Sequence, residues 1–207
     1  MYQVRRVTMA LCGVILCGFC VGMLQKANLG VDPFTCFVTG IANLFSSTNS
    51  TFYLILTGGL LAVVLILRRH YIGIATIFNL LLTGVMADFM RGLLDTVIPH
   101  PGLMARGCLM LAAIVFTCLA AALYFTADLG VSAYDALALI AAYKYQLLPF
   151  KYCRIITDSI CVLVGLAFDV TLGIGTVITA LFMGPLTQWF RVNLAEPLLT
   201  GGLRPAD

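Results

Sequence analysis

The sequence predicts an all-α, polytopic membrane protein made of two homologous repeats. Three observations predict this class: the composition, the lengths of the apolar segments, and a match between the two halves of the chain. Hydrophobic residues make up 61% of the 207 residues and charged residues only 10%. Water-soluble domains contain about 45–50% apolar and about 25% charged residues. A soluble enzyme and a disordered chain are therefore excluded, and the lipid bilayer is the expected surrounding.

The pattern of basic residues argues against nucleic-acid binding, and the pattern of cysteines argues against a metal site. The net charge is +3, and the twelve lysines and arginines occur as singles and pairs. No basic stripe is present to neutralise phosphates, so no nucleic acid is expected as a partner. Cys17 and Cys20 form a CxxC pair, but the apolar run from 7 to 24 contains no His or acidic residue. A zinc site needs three or four ligands, so neither a metal site nor a cofactor is expected.

The two halves of the chain match at a constant offset of 100 residues, without a gap. The matched pairs are ANLGV at 27–31 with ADLGV at 127–131, GIAT at 73–76 with GIGT at 173–176, Arg6 with Arg106, and Arg91 with Arg191. Self-similarity in fixed register indicates repeated structural units. We predict a first membrane repeat at 1–97 and a second at 103–207, which together form one membrane domain.

Each predicted repeat contains three long apolar segments and one short one. The long segments lie near 6–26, 51–68, 72–95, 106–126, 152–169 and 172–194. About 20 apolar residues cross a hydrocarbon core of about 30 Å. The short segments, near 32–46 and 132–145, would extend roughly 22 Å as helices, which is marginal for a crossing. The expected architecture is six long transmembrane helices plus two short or re-entrant helices.

The short segments decide the topology. If they cross, each repeat has four crossings and the repeats are parallel; if they re-enter, each has three and the repeats are inverted. The positive-inside rule places nine of the twelve basic residues inside in both cases, so it does not choose. The matched arginines at 6/106 and 91/191 favour parallel repeats, because matched charges suit the same side.

Both short segments begin with helix-start signals. Asp32 precedes Pro33, Ser132 takes the same place in the second repeat, and Gly30 and Gly130 lie just before them. Asp and Ser are favoured N-caps, Pro is favoured at the first helical position, and Gly gives the preceding turn its freedom.

The last long segment of each half also starts alike, with a glycine followed by polar residues on one helix face. These are Gly73, Thr76 and Asn79 in the first half and Gly173, Thr176 and Thr179 in the second. Polar groups on an apolar helix must face protein or water.

We expect these polar residues to converge on a cavity between the repeats. Asp135 is the leading candidate, since it replaces Thr35 of the first half and has no cation at i±3 or i±4. The predicted substrate-binding residues are Asp135, Asn79, Thr76, Thr176, Thr179, Tyr134, Asp32 and Ser132, with helix-start glycines Gly30, Gly130, Gly73 and Gly173. The alternative is structural: hydroxyls bond back to their own helix, and glycines let helices pack closely.

The second half carries a family resemblance. The sequence ADLGVSAYD at 127–135, LGIGT at 172–176 and the following Gly184-Pro185 resemble the YczE/YitT-like family of small bacterial integral membrane proteins. Ala133 stands where that family has proline, and the first half keeps Pro33 but lacks the acid. The resemblance implies a multi-pass protein of the bacterial inner (cell) membrane. It implies no particular activity.

Two functions are therefore expected. No Walker lysine, HExxH or GxSxG occurs in the sequence, so no catalytic residue and no enzyme are predicted. The first expectation is a secondary transporter or permease for a small polar or anionic solute, bound between the two repeats. The alternative is a non-transporting membrane scaffold or accessory protein that binds a partner or lipid. The sequence specifies neither the solute nor the coupling ion, and it leaves homo-oligomer formation open.

Overall fold

The computed structural model describes residues 2–45, 49–170 and 172–200, with only the backbone for 49–51. Parts of the predicted repeats, at 1, 46–48, 171 and 201–207, lie outside this description. The described chain is helical and contains no strand, which confirms the all-α class. The helices are α1 Tyr2–Ala27, α2 Pro33–Leu44, α3 Asn49–Arg68, α4 Ile74–Val97, α5 Leu103–Ala127, α6 Ala133–Leu139, α7 Phe150–Ala167, α8 Ile174–Phe190 and α9 Glu196–Thr200.

Three helical turns of other types extend these elements. A 3-10 turn at Arg69–Tyr71 follows α3, a π-helical turn at Ile140–Lys144 extends α6, and a second at Arg191–Ala195 joins α8 to α9. The predicted short segment at 132–145 is thus one continuous short helix with a π-helical end.

Within the residues that the structure describes, four helical segments are long and apolar enough to cross a membrane: Tyr2–Ala27, Phe52–Tyr71, Ile74–Val97 and Leu103–Ala127. They agree with four of the six predicted spans. The other two, α7 and α8, have 18 and 17 residues, and α7 contains Lys151, Arg154 and Asp158. Their role as spans stays a prediction.

α1 and α5 form the centre of the molecule. The buried share of an apolar 18-residue stretch is 50% in α5 and 39% in α1. The same share is only 6% in α3 and 11% in α4. At Gly13 of α1, a Cβ atom would lie 2.9 Å from the carbonyl oxygen of Ala120 in α5. Small residues of this kind let two helix backbones approach closely, so α1 and α5 pack directly against each other.

α1 and α5 run in opposite directions. Arg6, near the start of α1, donates from Nε to the carbonyl of Ala127 at the end of α5 (2.8 Å), and Arg106, near the start of α5, donates to the carbonyl of Ala27 at the end of α1 (2.7 Å). We call the end of the molecule with Arg6 and Ala127 the N-face, and the other end the opposite face.

The expectation of parallel repeats is therefore wrong. Arg6 and Arg106 lie one hundred positions apart but at opposite ends of the molecule. Each arginine bonds to free carbonyls at the C-terminal end of the other central helix, where a cation is favoured. The matched positions reflect the same helix-capping contact made twice, and not the same side of a membrane.

α2 folds back within the molecule, and we use the term re-entrant for α2 and α6 to describe this path of the chain. The chain leaves α1 at the opposite face, where Leu29 accepts a hydrogen bond from Gly175 at the start of α8 (3.0 Å). α7 ends close to this start of α8, and α2 ends there too, because Asn43 Nδ2 donates to the carbonyl of Phe168 (3.2 Å). The chain thus enters from the opposite face and α2 returns to that face.

α6 re-enters from the N-face in the same way. The chain leaves α5 at the N-face, where Val131 donates to the carbonyl of Tyr71 (2.9 Å). After α6, Lys144 Nζ donates to the carbonyl of Leu67 near the end of α3 (2.9 Å), so the chain is again at the N-face. Each short helix therefore begins inside the molecule and ends at the face from which it entered.

The turn after each central helix packs against the start of a helix from the other half. Matched hydrogen bonds run from Gly175 N to Leu29 O (3.0 Å) and from Ala75 N to Leu129 O (3.0 Å). Two threonines bond to the same turns in different ways: Val31 N donates to Thr176 Oγ1 (3.0 Å), and Thr76 Oγ1 donates to the carbonyl of Val131 (2.8 Å). A Cβ atom on Gly173 or Gly73 would overlap the carbonyl oxygen of Leu29 or Leu129. We call these the crossed contacts; they tie the two halves together.

The turns in the crossed contacts need glycine for a second reason. Gly30 has φ +150° and Gly130 has φ +111°, a region that side-chain-bearing residues rarely adopt. Asn28 and Asp128, two positions earlier, have φ 47° and 51°; Asn and Asp tolerate this left-handed conformation best. The sequence therefore specifies both turns locally.

Candidate functional site

Three charged side chains lie together inside the molecule: Asp135 on α6, and Arg154 and Asp158 on α7. Their exposed fractions are 7%, 8% and 0%. Arg154 Nη1 pairs with Asp135 Oδ1, and Arg154 Nε lies 3.2 Å from Asp158 Oδ2. The planar guanidinium carries several donors in a fixed fork, which lets it bridge two carboxylates. We call these three residues the ion cluster.

Hydroxyl groups satisfy the carboxylate oxygens of the ion cluster. Ser132 Oγ donates to Asp135 Oδ2 (2.6 Å), and Tyr124 OH donates to the same oxygen. Tyr134 OH donates to Asp158 Oδ1. Buried charges are tolerated only when they are paired and hydrogen-bonded, and every carboxylate oxygen here receives at least one donor.

The ion cluster lies where the two re-entrant helices meet. Phe34 in the first turn of α2 stacks on Tyr134 in the first turn of α6, with ring centroids 5.0 Å apart. The guanidinium carbon of Arg154 is 4.7 Å from the centroid of the Tyr134 ring, a favourable cation–π distance. Since α2 enters from the opposite face and α6 from the N-face, the cluster lies between the two faces.

The ion cluster has one more carboxylate than guanidinium. With all three groups ionised, its formal charge is −1, and an unbalanced charge away from water is unfavourable. One proton, or one positive group of a ligand, would balance it. The first half has no equivalent cluster, because Leu54 and Gly58 stand at the positions that match Arg154 and Asp158.

Three of the predicted site residues meet at the ion cluster: Asp135, Tyr134 and Ser132. Ser132 also caps α6, because its Oγ accepts from the backbone N–H of Asp135 (3.1 Å). The cation that Asp135 lacks within its own helix comes from Arg154 on α7, 19 positions along the chain.

Most of the other predicted residues have bonding partners in the fold, away from the ion cluster. Thr76 and Thr176, with Gly30, Gly130, Gly73 and Gly173, form the crossed contacts. Thr179 Oγ1 bonds back to the carbonyls of Gly175 and Thr176 in its own helix, both at 2.9 Å. These residues take part in packing and helix contacts, as the structural alternative expects.

Asp32 and Asn79 also lie outside the cluster contacts. Asp32 caps α2: it accepts from the backbone N–H of Thr35 (2.9 Å) and from Thr35 Oγ1 (2.6 Å). Asn79 is half-buried on α4.

The sequence reasoning missed Arg154, Asp158 and Tyr124 as parts of this site. The sequence could have indicated Arg154 and Asp158, because an i,i+4 pair of opposite charges in an apolar helix is typical of a buried polar site. Tyr124 carried no signal, because its partner Asp135 becomes its neighbour only through the turn between α5 and α6.

A cleft of about 400 Å³ opens at the N-face beside α6. Its lining includes Leu139 of α6, four residues after Asp135, and the aromatic residues Phe125 and Tyr143. Its charged wall includes Arg191 and Glu196. Arg191 Nε lies 3.2 Å from Glu196 Oε1, and Arg191 Nη1 donates to Tyr143 OH (2.6 Å). The cleft thus brings the N-face surface to within one helical turn of the ion cluster along α6.

No metal site is apparent in the residues that the structure describes. Across 2–45, 49–170 and 172–200, no group of three His, Cys, Asp or Glu side chains is placed to hold a metal ion.

The sequence from 4 to 192 matches the profile of a family of unknown function, DUF6198. The chain belongs to this family. The match covers both halves, all the residues of the ion cluster and the crossed contacts. No curated protein and no solved structure matches the sequence significantly. Membership of the DUF6198 family thus gives the chain no known activity, and a function has to be argued from the site.

Proposed function

We propose that this DUF6198 protein is a secondary transporter or permease for a small polar or anionic solute. The observation that carries the proposal is a buried ion cluster at the meeting point of two re-entrant helices that enter from opposite faces. Transporters commonly place substrate and coupling-ion sites where broken helices end between two related halves. Ionisable residues at such a depth mark ion or substrate pathways.

The proposal includes an arrangement in the membrane. The two halves would be inverted homologous repeats, with α7 and α8 as the fifth and sixth spans, in a bacterial inner membrane as the YczE/YitT-like resemblance implies. The charge distribution supports a cytoplasmic N-face. Basic residues at the N-face are Arg5, Arg6, Arg68, Arg69, Lys144, Lys151 and Arg191, against Lys26, Arg91 and Arg106 at the opposite face.

The ion cluster suggests how a solute and a proton would be coupled. Arg154 is the cation of the cluster and is shared by two carboxylates. A solute anion that pairs with Arg154 would bring a third negative charge into the same buried volume. A proton on one of the two carboxylates would neutralise the empty cluster. A second proton, bound together with the anion, would free Arg154 and keep the loaded cluster neutral. Anion and proton would therefore bind together, with the N-face cleft as one route to the site.

The test of this proposal is Asp135→Asn. The amide keeps the size of the side chain but neither pairs with Arg154 as an ion nor takes up a proton. Asn at this position removes one of the two carboxylates that would bind these protons, so the anion loses its matching proton and uptake should fall by at least about tenfold. A metabolite panel that shifts the thermal stability of the purified protein identifies a solute, and proteoliposome uptake of that solute is then measured.

The matched control is Asp169→Asn. Asp169 follows the end of α7 with φ 59°, a conformation that Asn also tolerates, so the same chemical change is made at the surface. Uptake should be unaffected there. Full uptake by Asp135→Asn at normal expression would remove Asp135 from the site.

One observation favours a second function, a non-transporting scaffold or accessory protein that binds a partner or lipid. Every carboxylate oxygen of the ion cluster has a donor within the chain, as a purely structural network requires. This reading is preferred if a broad metabolite panel leaves thermal stability unchanged while one protein co-purifies in a fixed ratio.

A further inference from the structure

The second half of the chain holds its last two long helices together. At Gly184 of α8, a Cβ atom would lie 2.6 Å from the carbonyl oxygen of Lys151 and 3.2 Å from Cβ of Arg154, both on α7. Nearer the N-face, the backbone N–H of Lys151 donates to Gln188 Oε1 (3.2 Å). α7 and α8 are therefore closely packed from the level of the ion cluster to the N-face.

The matching helices of the first half, α3 and α4, are not packed at the corresponding positions. Gly84, which matches Gly184, is exposed, and no described residue would come within 4 Å of a Cβ atom there. Leu54 is 68% exposed, whereas the matching Arg154 is 8% exposed. The surface of α4 around Gly84 and that of α3 around Leu54 thus lack the contact that their counterparts make.

α3 and α4 are joined at one end only, and their separated ends lie towards the opposite face. The two helices are joined at the N-face by Arg69–Tyr71, and Tyr71 is held there by its hydrogen bond from Val131 (2.9 Å). Their other ends lie towards the opposite face. α7 and α8 have the reverse arrangement, joined at the opposite face and packed towards the N-face.

We propose that α3 and α4 form a gate, which this structure holds open towards the opposite face. In the closed state α3 packs against α4 with Gly84 close to Leu54, as Gly184 is to Arg154 in the closed pair α7–α8. In the closed state, α3 of the same chain thus covers the Gly84 surface that is exposed here. The inference rests on the match between the two halves and the difference in their packing, and does not require that the protein transports a solute.

The physics of the bilayer suits such a movement. Lipid tails are as apolar as leucine, so no hydrophobic force holds α3 either against α4 or away from it. Because glycine has no side chain, the two helix backbones can approach closely, and van der Waals contacts between them then stabilise the closed state. α3 is held mainly through one face, by contacts such as that of Tyr53 with Phe34 (ring centroids 5.6 Å apart), and only 6% of its most apolar window is buried.

The experiment is a disulfide trap with Leu54→Cys and Gly84→Cys in a chain whose eight native cysteines are replaced. The matching atoms of the closed pair are 3.2 Å apart, close to the Cβ–Cβ distance of about 3.5–4.5 Å that a disulfide needs. After mild oxidation in membranes, we expect both thiols to disappear while the protein still runs as a monomer. Free thiols are counted with a mass-adding maleimide.

The matched control is Ile55→Cys with Gly84→Cys. Ile55 is the next residue of α3 and is 59% exposed, but it lies about 100° around the helix from Leu54. This pair should keep its thiols. Persistent free thiols at 54 and 84 would overturn the gate, and so would a disulfide-linked dimer, which would show that a second copy covers the Gly84 surface.

A second measurement avoids the cysteine replacements. Benzoylphenylalanine at position 54 of the otherwise native chain should photo-crosslink within the same chain to α4 near Gly84. Crosslinks confined to lipid or to another copy would contradict closure. Trapping at 54 and 84 combined with unimpaired uptake by Asp135→Asn would disprove the proposed site and leave the gate standing.

Discussion

Arg154→Leu is expected to give the largest loss of stability of any single substitution in the ion cluster. The change leaves Asp135 and Asp158 facing each other without a cation, at 7% and 0% exposure. Removing one partner from a buried ion pair costs about 3–5 kcal/mol, and here one guanidinium serves two carboxylates. The midpoint of thermal unfolding in detergent should fall well below that of the wild-type protein.

Two further variants test the reason for this loss. Leu54→Ala changes the matching position of the first half, where the side chain is 68% exposed, and should leave the midpoint nearly unchanged. Arg154→Leu combined with Asp135→Asn and Asp158→Asn removes all three charges and should recover much of the stability. If Arg154→Leu alone unfolds at the wild-type temperature, the cluster is hydrated and the charge argument is wrong.

Gly173→Ala is expected to destabilise the crossed contacts between the two halves. The added methyl group would overlap the carbonyl oxygen of Leu29, and a backbone atom has no rotamer by which to move away. Overpacking typically costs about 1–3 kcal/mol and occasionally more; with backbone against backbone, we expect about 3 kcal/mol or more. Gly73→Ala makes the same contact with Leu129 and should have the same effect in thermal unfolding.

Gly92→Ala is the matched control. Gly92 lies within α4, and no described residue would come within 4 Å of a Cβ atom there. Alanine is a better helix former than glycine by about 0.8–1.0 kcal/mol, so this variant should be as stable as the wild type or slightly more so. If Gly92→Ala and Gly173→Ala behaved alike, the effect would come from helix propensity and the close approach would be refuted.

The sequence predicted those parts of the site that depend on local chemistry. Ser132 as a helix cap, Asp135 in the first turn of α6 and the glycines of both turns follow from short-range rules for caps and positive φ. The partner of Asp135 did not follow from such rules, because Arg154 lies on another helix and becomes a neighbour only after α6 folds back. Long-range pairing of this kind requires the path of the chain.

The topology was beyond the sequence for a similar reason. A segment of about 15 residues is marginal for crossing a bilayer, and the count of basic residues was the same for both topologies. The decisive facts were the bonds of Arg6 to Ala127 and of Arg106 to Ala27, which fix the direction of α5 against α1. Matched arginines had suggested a common side, although each caps a helix of the other half.

The antiparallel arrangement with two re-entrant helices is the central claim, and single cysteines at positions 45 and 145 test it most directly. Phe45 ends α2 and is 63% exposed; Tyr145, one hundred positions later, follows α6 and is 51% exposed. Each is replaced by cysteine in a chain without other cysteines, and intact cells are treated with a membrane-impermeant maleimide. We expect Phe45→Cys to be labelled from outside and Tyr145→Cys only after the membrane is permeabilised. Labelling of both from the same side would contradict the account.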